Sequence, residues 1–412
     1  MGLDKLNPAL MEEVAALQRE SRAKGPERIL EAYVPANNSR GPRYRIQGSD
    51  REFLRMNSNS YLSLSNHPAL IASADEASHR FGAGPGAVRF IDGTTTAHIE
   101  LEQTIADFAG RPAARIFNSA YTTMLGVGLT LTTRDTYWIG DALNHNCIIR
   151  AMRIASVPRE RRSIFAHNDV EDLARHLEQV PDGIRRVIVV FDGIFSMRGD
   201  NAPLDAIVKL CAKHHDRFPE GVITVMDDSH GIGAYGASGR GTEEHCGARA
   251  DVFIGTFGKA FGVNGGFVAS SEQLIDTIRQ KADTYIYTNP LSAADCAAAT
   301  TAVRLTAGDE GRERLANLSL RTAQFREGVA QLGLDSIPGP HPVVPVLVRD
   351  GDRARQMVQG LFDRGVLAVP LTFPVVPKGD ETIRFQINAA HTESDIGEVL
   401  NLLDEVRLSD VV

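Results

Sequence analysis

The stretch Val222-Ile-Thr-Val-Met-Asp-Asp-Ser-His230 decides the fold. It begins as a continuous, mostly apolar run, which is typical of a strand in a parallel sheet that is covered on both faces. Arg186-Val-Ile-Val-Val-Phe-Asp192 repeats the pattern, and residues 203–215 between the two runs have helical spacing with a proline near their start. Shorter strands are predicted over 251–255 and 266–270. This alternation of strands and helices predicts an α/β domain with a mostly parallel sheet.

The remaining segments are predicted to surround this domain. Residues 1–50 read as an amphipathic helical arm, 51–295 as the large domain and 296–412 as a small C-terminal α+β domain. Within the last segment, apolar runs predict strands over 343–348 and 382–388. The sequence therefore predicts two domains and an N-terminal extension.

Composition narrows the function classes. The 412 residues carry a net charge of −8, which gives no basic footprint for nucleic acid or an anionic membrane. No apolar stretch approaches the ~20 residues that cross a bilayer, and the start of the chain has no apolar core of signal-peptide length. The four cysteines form no Cys-x-x-Cys pair, which favours a reducing, cytoplasmic location. No metal-binding signature is present, so no metal is expected.

Glycine is the unusual feature of the composition: the chain has thirty-seven glycines, many of them in clusters. Gly231-Ile-Gly-Ala-Tyr-Gly236 matches the letters of a dinucleotide fingerprint, but the glycines at 239 and 241 that follow do not open the helix which such a site needs. The cluster over 255–266 surrounds a lysine and suggests backbone lying close to a ligand. The cluster over 82–86 has no assigned role beyond an entrance or interface loop.

Asp227 and His230 follow directly after the strand that opened this section. Ligands of open α/β sheets bind at the carboxyl ends of the strands, so an acid and a histidine at that edge are candidate functional groups. Taken alone, the pair is better explained as a capping aspartate and a surface histidine. Asp192, which ends the preceding strand, is interpreted as part of a turn.

Lys259 lies among glycines and small residues directly after a predicted strand. Partial burial lowers the pKa of a lysine, and the neutral amine is a nucleophile that forms Schiff bases. A lysine that only extends from a glycine-rich loop to solvent is the alternative. Lys259 together with Asp227, an acid able to keep a pyridine nitrogen protonated, is the combination that pyridoxal phosphate (PLP) requires.

With these residues and the segments Asp141-Ala-Leu-Asn-His145 and Phe195-Ser-Met197, the chain resembles the α-oxoamine synthase family of fold-type-I PLP enzymes over residues 45–405. The resemblance implies the aspartate aminotransferase-like fold and PLP as the cofactor. It also implies that Lys259 forms the Schiff base and that Asp227 pairs with the pyridine nitrogen. His230 would contact the phenolic oxygen of the cofactor.

Further cofactor contacts follow from the same resemblance. His145 would stack on the pyridine ring, and the backbone N–H groups of Ala120 and Tyr121 would hold the phosphate at a helix start. Ser196 would lie near the phosphate or ring oxygen. Two threonines complete the predicted phosphate site, Thr256 from the same chain and Thr288 from the other subunit of a homodimer with shared active sites.

On the substrate side, the resemblance implies that Asn59 touches the amino acid and that Arg384 clamps its carboxylate. A surface ion pair is the alternative role for Arg384. The segment Pro374-Val-Val-Pro-Lys-Gly379 also matches the family.

The implied reaction joins an amino acid to an acyl thioester of CoA or a carrier protein and releases the thiol. Gly258 before the lysine favours the glycine C-acetyltransferase branch, hence glycine and a short acyl-CoA, whereas Phe257 is more like serine palmitoyltransferases. A decarboxylative condensation of the serine palmitoyltransferase or 8-amino-7-oxononanoate synthase type, with a longer or specialised acyl group, is the alternative. A fold-type-I aminotransferase is the alternative from another class.

Overall fold

The computed structural model describes residues 2–20, 22–37, 39–373 and 375–408. Its α-helices are α1 Leu6–Arg19, α2 Pro68–Phe81, α3 Thr96–Ala109, α4 Ala120–Leu131, α5 Asn146–Ile154, α6 Val170–Glu178, α7 Leu204–His214, α8 Thr242–Cys246, α9 Glu272–Lys281, α10 Asp283–Ile286, α11 Ala293–Ala307, α12 Asp309–Gln331, α13 Gly351–Asp363 and α14 Glu393–Leu408. Its strands are β1 Leu30–Val34, β2 Arg43–Ile46, β3 Glu52–Arg55, β4 Ala113–Phe117, β5 Thr136–Asp141, β6 Arg162–Phe165, β7 Arg186–Asp192, β8 Val222–Asp227, β9 Val252–Thr256, β10 Gly266–Ser270, β11 Val343–Leu347, β12 Val366–Leu367, β13 Val369–Leu371 and β14 Thr382–Gln386.

The central sheet has the order β4-β10-β9-β8-β7-β5-β6. The strands β9, β8, β7, β5 and β6 are parallel, and β10 runs antiparallel to both of its neighbours. The predicted mostly parallel sheet of an α/β fold is therefore confirmed. The carboxyl ends of four adjacent parallel strands meet at one edge, and this edge carries the site described below.

Strand β7 shows why the apolar runs are continuous. Val187, Val189 and Phe191 pack into one hydrophobic cluster, whereas Ile188 and Val190 pack into a second cluster on the opposite face of the sheet. Because successive side chains of a strand point to opposite faces, both faces of this sheet must be covered by helices.

Two smaller sheets lie outside the central one. β11, β14 and β13 form an antiparallel sheet from the C-terminal part of the chain. β1, β2 and β3 form a meander that β12 joins in parallel through β3. The N-terminal segment therefore differs from the predicted helical arm. Among its described residues only Leu6–Arg19 is helical, and Leu30–Val34 and Arg43–Ile46 are strands.

The glycine cluster after β8 wraps around a buried carboxylate. Asp228 accepts hydrogen bonds from the backbone N–H and hydroxyl of Thr242, at 2.8 and 2.6 Å. A Cβ on Gly231 or Gly241 would lie within about 2.2 Å of this carboxylate, so only glycine fits at either position. The residues from 231 to 241 form turns, and the next helix, α8, begins at Thr242. This geometry agrees with the rejection of a dinucleotide site.

Candidate active site

Four neighbouring strands end in a polar residue at the same edge of the central sheet. β5, β7, β8 and β9 end at Asp141, Asp192, Asp227 and Thr256 respectively. Asp192 and Asp227 are direct partners in the register of β7 with β8. Parallel pairing thus places side chains from distant parts of the sequence beside one another, where open α/β sheets bind ligands.

A cavity lies at this edge and collects most of the predicted residues. It is lined by Ala120, Tyr121, His145, Cys147, Asp192, Ile194, Ser196, Asp227, Ser229, His230 and Lys259. All four predicted catalytic residues are among them.

Lys259 is the amine of this cavity. It follows β9 in the turn that β9 makes before β10, and burial among the neighbouring side chains lowers the pKa of its amine. Asp227 and Asp192 act in the opposite direction and favour the charged form. A lysine with a lowered pKa has a larger neutral fraction at neutral pH, which is the form that acts as a nucleophile or a base.

Asp227 is held in a fixed orientation at the end of β8. Its Oδ1 accepts hydrogen bonds from the backbone N–H and the hydroxyl of Ser229, at 3.1 and 2.5 Å. The Cys147 thiol lies 3.6 Å from its other carboxylate oxygen. The carboxylate is buried but faces the cavity, so it can pair with a cationic nitrogen of a ligand there.

The His230 ring is hydrogen-bonded to a tyrosine. The Tyr61 hydroxyl lies 2.7 Å from His230 Nδ1. Burial raises the pKa of Tyr61 and lowers the pKa of His230 far below its usual value, so both groups are neutral. In the tautomer whose Nδ1 accepts from the Tyr61 hydroxyl, Nε2 carries the imidazole hydrogen and can donate it to an oxygen in the cavity.

His145 caps α5, and its backbone N–H donates to Asp192 Oδ2 at 2.7 Å. Desolvation by the surrounding protein lowers the pKa of its ring, which keeps the imidazole neutral. Burial, followed by the nearby charge of Asp227, raises the pKa of Asp192 well above its usual value. Asp192 therefore helps to position His145 rather than merely forming a turn, which differs from its interpretation in the sequence.

The start of α4 supplies hydrogen-bond donors to the cavity. The Ser119 side chain accepts from the N–H of Thr122 at 3.1 Å, but the N–H groups of Ala120 and Tyr121 have no acceptor among the residues that the structure describes. A Cβ on Gly266 would lie 2.2 Å from the Ala120 nitrogen. Glycine at the start of β10 thus lets the strand lie against the helix start and leaves those N–H groups available to an anion.

The substrate side is built from β14 and the loop after β3. Arg384 Nη1 donates to the carbonyl of Ser196 at 2.9 Å, while its buried Nε has no partner within the described part of the chain. Gln386 hydrogen-bonds the side chain of Asn59, which places Asn59 beside the strand that carries Arg384. Neither Asn59 nor Arg384 is part of the lining of the cavity itself. Burial lowers the pKa of Arg384, although the group stays cationic.

Two predicted phosphate contacts lie outside this cavity. The Thr256 hydroxyl donates to the carbonyl of Gly265 at 2.9 Å and accepts from the N–H of Gly258 at 3.0 Å. The Thr288 hydroxyl donates to the carbonyl of Thr284 at 2.7 Å. Pro374 lies outside the described residues.

Sequence reasoning did not assign roles to Tyr61, Cys147 or Gln386. Tyr61 and Gln386 contact site residues that are 169 and 327 positions away along the chain, so no local pattern could reveal them. Cys147 lies two residues after His145, and this short spacing is the one local pattern that could have linked Cys147 to the site.

The described residues offer neither a metal site nor a membrane-spanning helix. They contain no group of three or more His, Cys, Asp and Glu side chains placed to hold a metal ion. None of their helices is both long and apolar enough to cross a membrane.

These features fit PLP. The unpartnered N–H groups at the start of α4 suit a phosphate, the oriented carboxylate of Asp227 suits a pyridinium, and the lysine with a lowered pKa suits an aldehyde. The orphaned Nε of Arg384 suits a further anion on the substrate side. Fold and site together define a fold-type-I PLP enzyme.

Comparisons with known proteins agree with this class. The family model described as aminotransferase class I and II matches residues 51–403. The 8-amino-7-oxononanoate synthase of Thermosipho melanesiensis is 37% identical over 358 residues, covering 86% of this chain and 88% of that protein. Serine palmitoyltransferase of Sphingomonas wittichii superposes with a TM-score of 0.86 at 27% identity, covering 98% of this chain and 97% of that one. A structure of SPT with PLP gives a TM-score of 0.84 at 29% identity and covers 98% of both chains.

The chain belongs to the class I and II aminotransferase family and, within it, to the α-oxoamine synthases. It is a PLP-dependent enzyme of the C-acyltransferase type.

Proposed function

We propose that the chain condenses a small amino acid with an acyl thioester, losing the amino-acid carboxylate as CO2 and releasing the free thiol. Per turnover, a zwitterionic amino acid, one thioester and one proton give a protonated α-amino ketone, CO2 and a thiol. The relatives named 8-amino-7-oxononanoate synthase and serine palmitoyltransferase support this decarboxylative reaction over the glycine C-acetyltransferase type.

The observation that carries the proposal is the position of Arg384. Its guanidinium is bonded to the carbonyl of Ser196, which lines the cavity, and lies close enough to Lys259 to influence the charge on that amine. Its Nε is buried without a partner among the described residues. An amino-acid carboxylate would satisfy that nitrogen and remove the cost of leaving it unpaired. The substrate α-carbon would then lie between Arg384 and Lys259.

PLP, when bound, supplies an electron-withdrawing ring that stabilises negative charge on the α-carbon of the amino acid. The Lys259 amine is placed to accept the α-proton and to return a proton later. The carboxylate of Asp227, held by Ser229, favours a positive charge next to it. His230, whose Nδ1 is bonded to Tyr61, would present Nε2 to an oxygen of the ligand. His145 covers one side of the cavity with a neutral ring.

The test measures thiol and CO2 release by the purified holoenzyme for each combination of an amino acid (glycine, alanine or serine) with a thioester (acetyl-, octanoyl- or palmitoyl-CoA). Amino acids labelled with ¹³C in the carboxyl group distinguish the two reaction types. We expect thiol release with equal release of ¹³CO2. Quenching with borohydride reduces any β-keto acid before it loses CO2 spontaneously, so recovery of the label in a hydroxy acid would instead support the non-decarboxylating branch.

Amino transfer is the competing activity, because the matching family model includes aminotransferases. It predicts conversion of the amino acid to its 2-oxo acid when a second 2-oxo acid is added, with no thiol released from any thioester. That result would exclude the proposed condensation.

We also infer that the active form is a homodimer. Thr288 lies outside the cavity of its own chain. The neighbouring Tyr287 is 74% exposed, and two apolar side chains are exposed as well, Phe90 at 60% and Ile99 at 53%. A second copy that covers this surface would bury those side chains and bring Thr288 towards its own cavity. Light scattering should give about 89 kDa, twice the 44.7 kDa of one chain; a monomer with full activity would contradict the inference.

A further inference from the structure

A second cavity adjoins the catalytic one and shares Ser196 with it. Its volume is about 230 Å³, and its walls come from the loop before His145, the turn that carries Ser196, and the small antiparallel sheet with the loop before β14. Most of the walls are apolar, as shown by Leu143, Met197, Ile337, Leu347, Val375 and Val376. We refer to it as the side groove.

Strand β14 connects the side groove to the substrate site. Thr382, Arg384 and Gln386 alternate along the strand and therefore lie on one face. Gln386 contacts Asn59, Arg384 contacts the Ser196 carbonyl and Met197, and Thr382 lines the side groove. The groove thus begins about 7 Å, two strand residues, from the arginine that would hold the amino acid.

Some apolar side chains in the walls of the side groove are exposed to solvent. Leu143 is 42% exposed and Val375 is 46% exposed, although both line a concave surface. Single exposed apolar residues are common, but apolar residues that converge on one concavity beside a catalytic site are typical of ligand pockets. An apolar ligand there would remove this surface from water.

The charged groups of the side groove argue against a charged ligand. Asp380 and Arg198 are its ionic residues, and Arg198 Nε donates to Asp200 at 2.9 Å. Because Arg198 already pairs with Asp200 and Asp380 adds a negative charge, the lining has no surplus positive charge for a carboxylate. A ligand with an ionised end would lose its hydration without a compensating partner.

We propose that the side groove holds the alkyl chain of the acyl thioester, and that the substrates carry an apolar chain with no terminal charge that fits a volume of about 230 Å³. The proposal rests on the condensation proposed above and adds the class of acyl group. It also assigns Leu347, on the wall of the groove, as a residue that limits chain length.

The first experiment measures kcat/KM of the holoenzyme for acetyl-, butanoyl-, hexanoyl- and octanoyl-CoA and for the matching N-acetylcysteamine thioesters. We expect a rise of about fourfold per methylene until the groove is filled. Heptanoyl-CoA is compared with heptanedioyl-CoA, which has the same length and a terminal carboxylate. We expect the uncharged chain to be preferred at least tenfold, and a preference for the dicarboxylic substrate would overturn the assigned acyl class.

The second experiment changes the groove. Leu347→Phe should lower the octanoyl-to-acetyl ratio of kcat/KM about fourfold, because the larger ring takes the space of roughly one methylene. Leu347→Ala should move the preferred chain length upwards and keeps the test valid if the phenylalanine variant does not fold. The control is Leu320→Phe, the same substitution at a 57% exposed position of α12, which should leave the ratio unchanged.

The outcomes separate the two proposals. Thiol release with an unchanged chain-length ratio in both Leu347 variants would refute the role of the groove and leave the condensation intact. No thiol release from any thioester by the unmodified enzyme would refute the condensation, and the acyl-chain assignment with it.

Discussion

The two ends of the active site differ in how completely their buried side-chain polar atoms are paired. At the cofactor end, Asp227 is held by Ser229, and His230 is held by Tyr61. At the substrate end, buried polar atoms have no partner in the described residues, namely Arg384 Nε, Gln386 Oε1, Thr382 Oγ1 and Asn57 Oδ1. An unpaired buried polar atom costs about 1–3 kcal/mol, and a ligand that hydrogen-bonds it removes that cost.

This difference separates what the fold fixes in advance from what the substrate completes. The cofactor end is built from strand ends of one sheet, whose positions are set by backbone pairing. The substrate end is built across two sheets and a loop, and Arg384 spans them through its bond to Ser196. We therefore expect substitutions at the cofactor end to affect the chemical step and substitutions at the substrate end to affect substrate binding.

The largest effect is expected from Lys259→Ala. Without the amine, no residue of the site can accept the α-proton from the same position, so turnover should fall below detection. Lys259→Arg is the matched control, since a guanidinium keeps the charge but does not release its proton at neutral pH. Thiol release measures both variants. Activity within tenfold of the unmodified enzyme in either variant would refute the role of Lys259.

Asp227→Asn should lower kcat about a hundredfold or more, the range seen when one preorganised polar group is removed from a catalytic site. KM for the amino acid should change little. The neighbouring Asp228→Asn is the control, because burial raises the pKa of Asp228 to about 8 and the carboxyl is therefore mostly protonated at neutral pH. An equal loss of kcat in both variants would show that the carboxylate of Asp227 matters for folding rather than for chemistry.

The two ends also differ in how far the sequence predicts them. Asp227, His230 and Lys259 could be found because each follows directly after an apolar strand, and the parallel sheet brings such positions together. Asp192 could not be distinguished from a turn residue, since its role depends on its register with Asp227 across β7 and β8.

The N-terminal segment shows the same limit in the fold. Residues 30–46 were predicted as part of a helical arm, but β2 pairs with β3, and β3 in turn pairs with β12, which lies some 310 residues further on. Such tertiary pairing overrides local periodicity, and a helical pattern in one short segment contains no information about it. At the substrate end, the bond between Asn59 and Gln386 depends on the same kind of long-range contact.

A smaller effect, on binding, is expected from Arg384→Lys. Loss of the planar, two-pronged donor should raise KM for the amino acid about thirtyfold, equivalent to about 2 kcal/mol for hydrogen bonds to a charged group. kcat at saturating amino acid should fall less than fivefold. The half-exposed Arg349→Lys serves as the control and should leave both constants unchanged. A fall in kcat without a change in KM would contradict the assignment of Arg384 to the substrate end.

The smallest effect concerns His167, which joins the loops of both ends. Its Nδ1 lies 3.0 Å from Asp141, at the start of the loop that carries His145, and its Nε2 lies 3.2 Å from Asp200, just after the turn of Ser196. Carboxylates only accept hydrogen bonds, so both ring nitrogens must carry hydrogen and the imidazole is cationic. Burial alone lowers the pKa of His167, but the hydrogen bonds to the two aspartates outweigh it and raise the pKa to about 9.

His167→Gln should therefore destabilise the protein in a pH-dependent way. The folded-state pKa lies above the usual 6.5, so the stabilisation is fully present below pH 6.5 and is lost as the pH rises through about 9. At pH 7 we expect a loss of about 2 kcal/mol in the free energy of unfolding, after a discount for the solvent-exposed part of the ring. Urea unfolding at pH 7 and pH 9.5 measures it, with His176→Gln as the control. The difference from the unmodified protein should shrink to a few tenths of a kcal/mol at pH 9.5, whereas an equal loss at both pH values would mean that His167 contributes packing rather than charge.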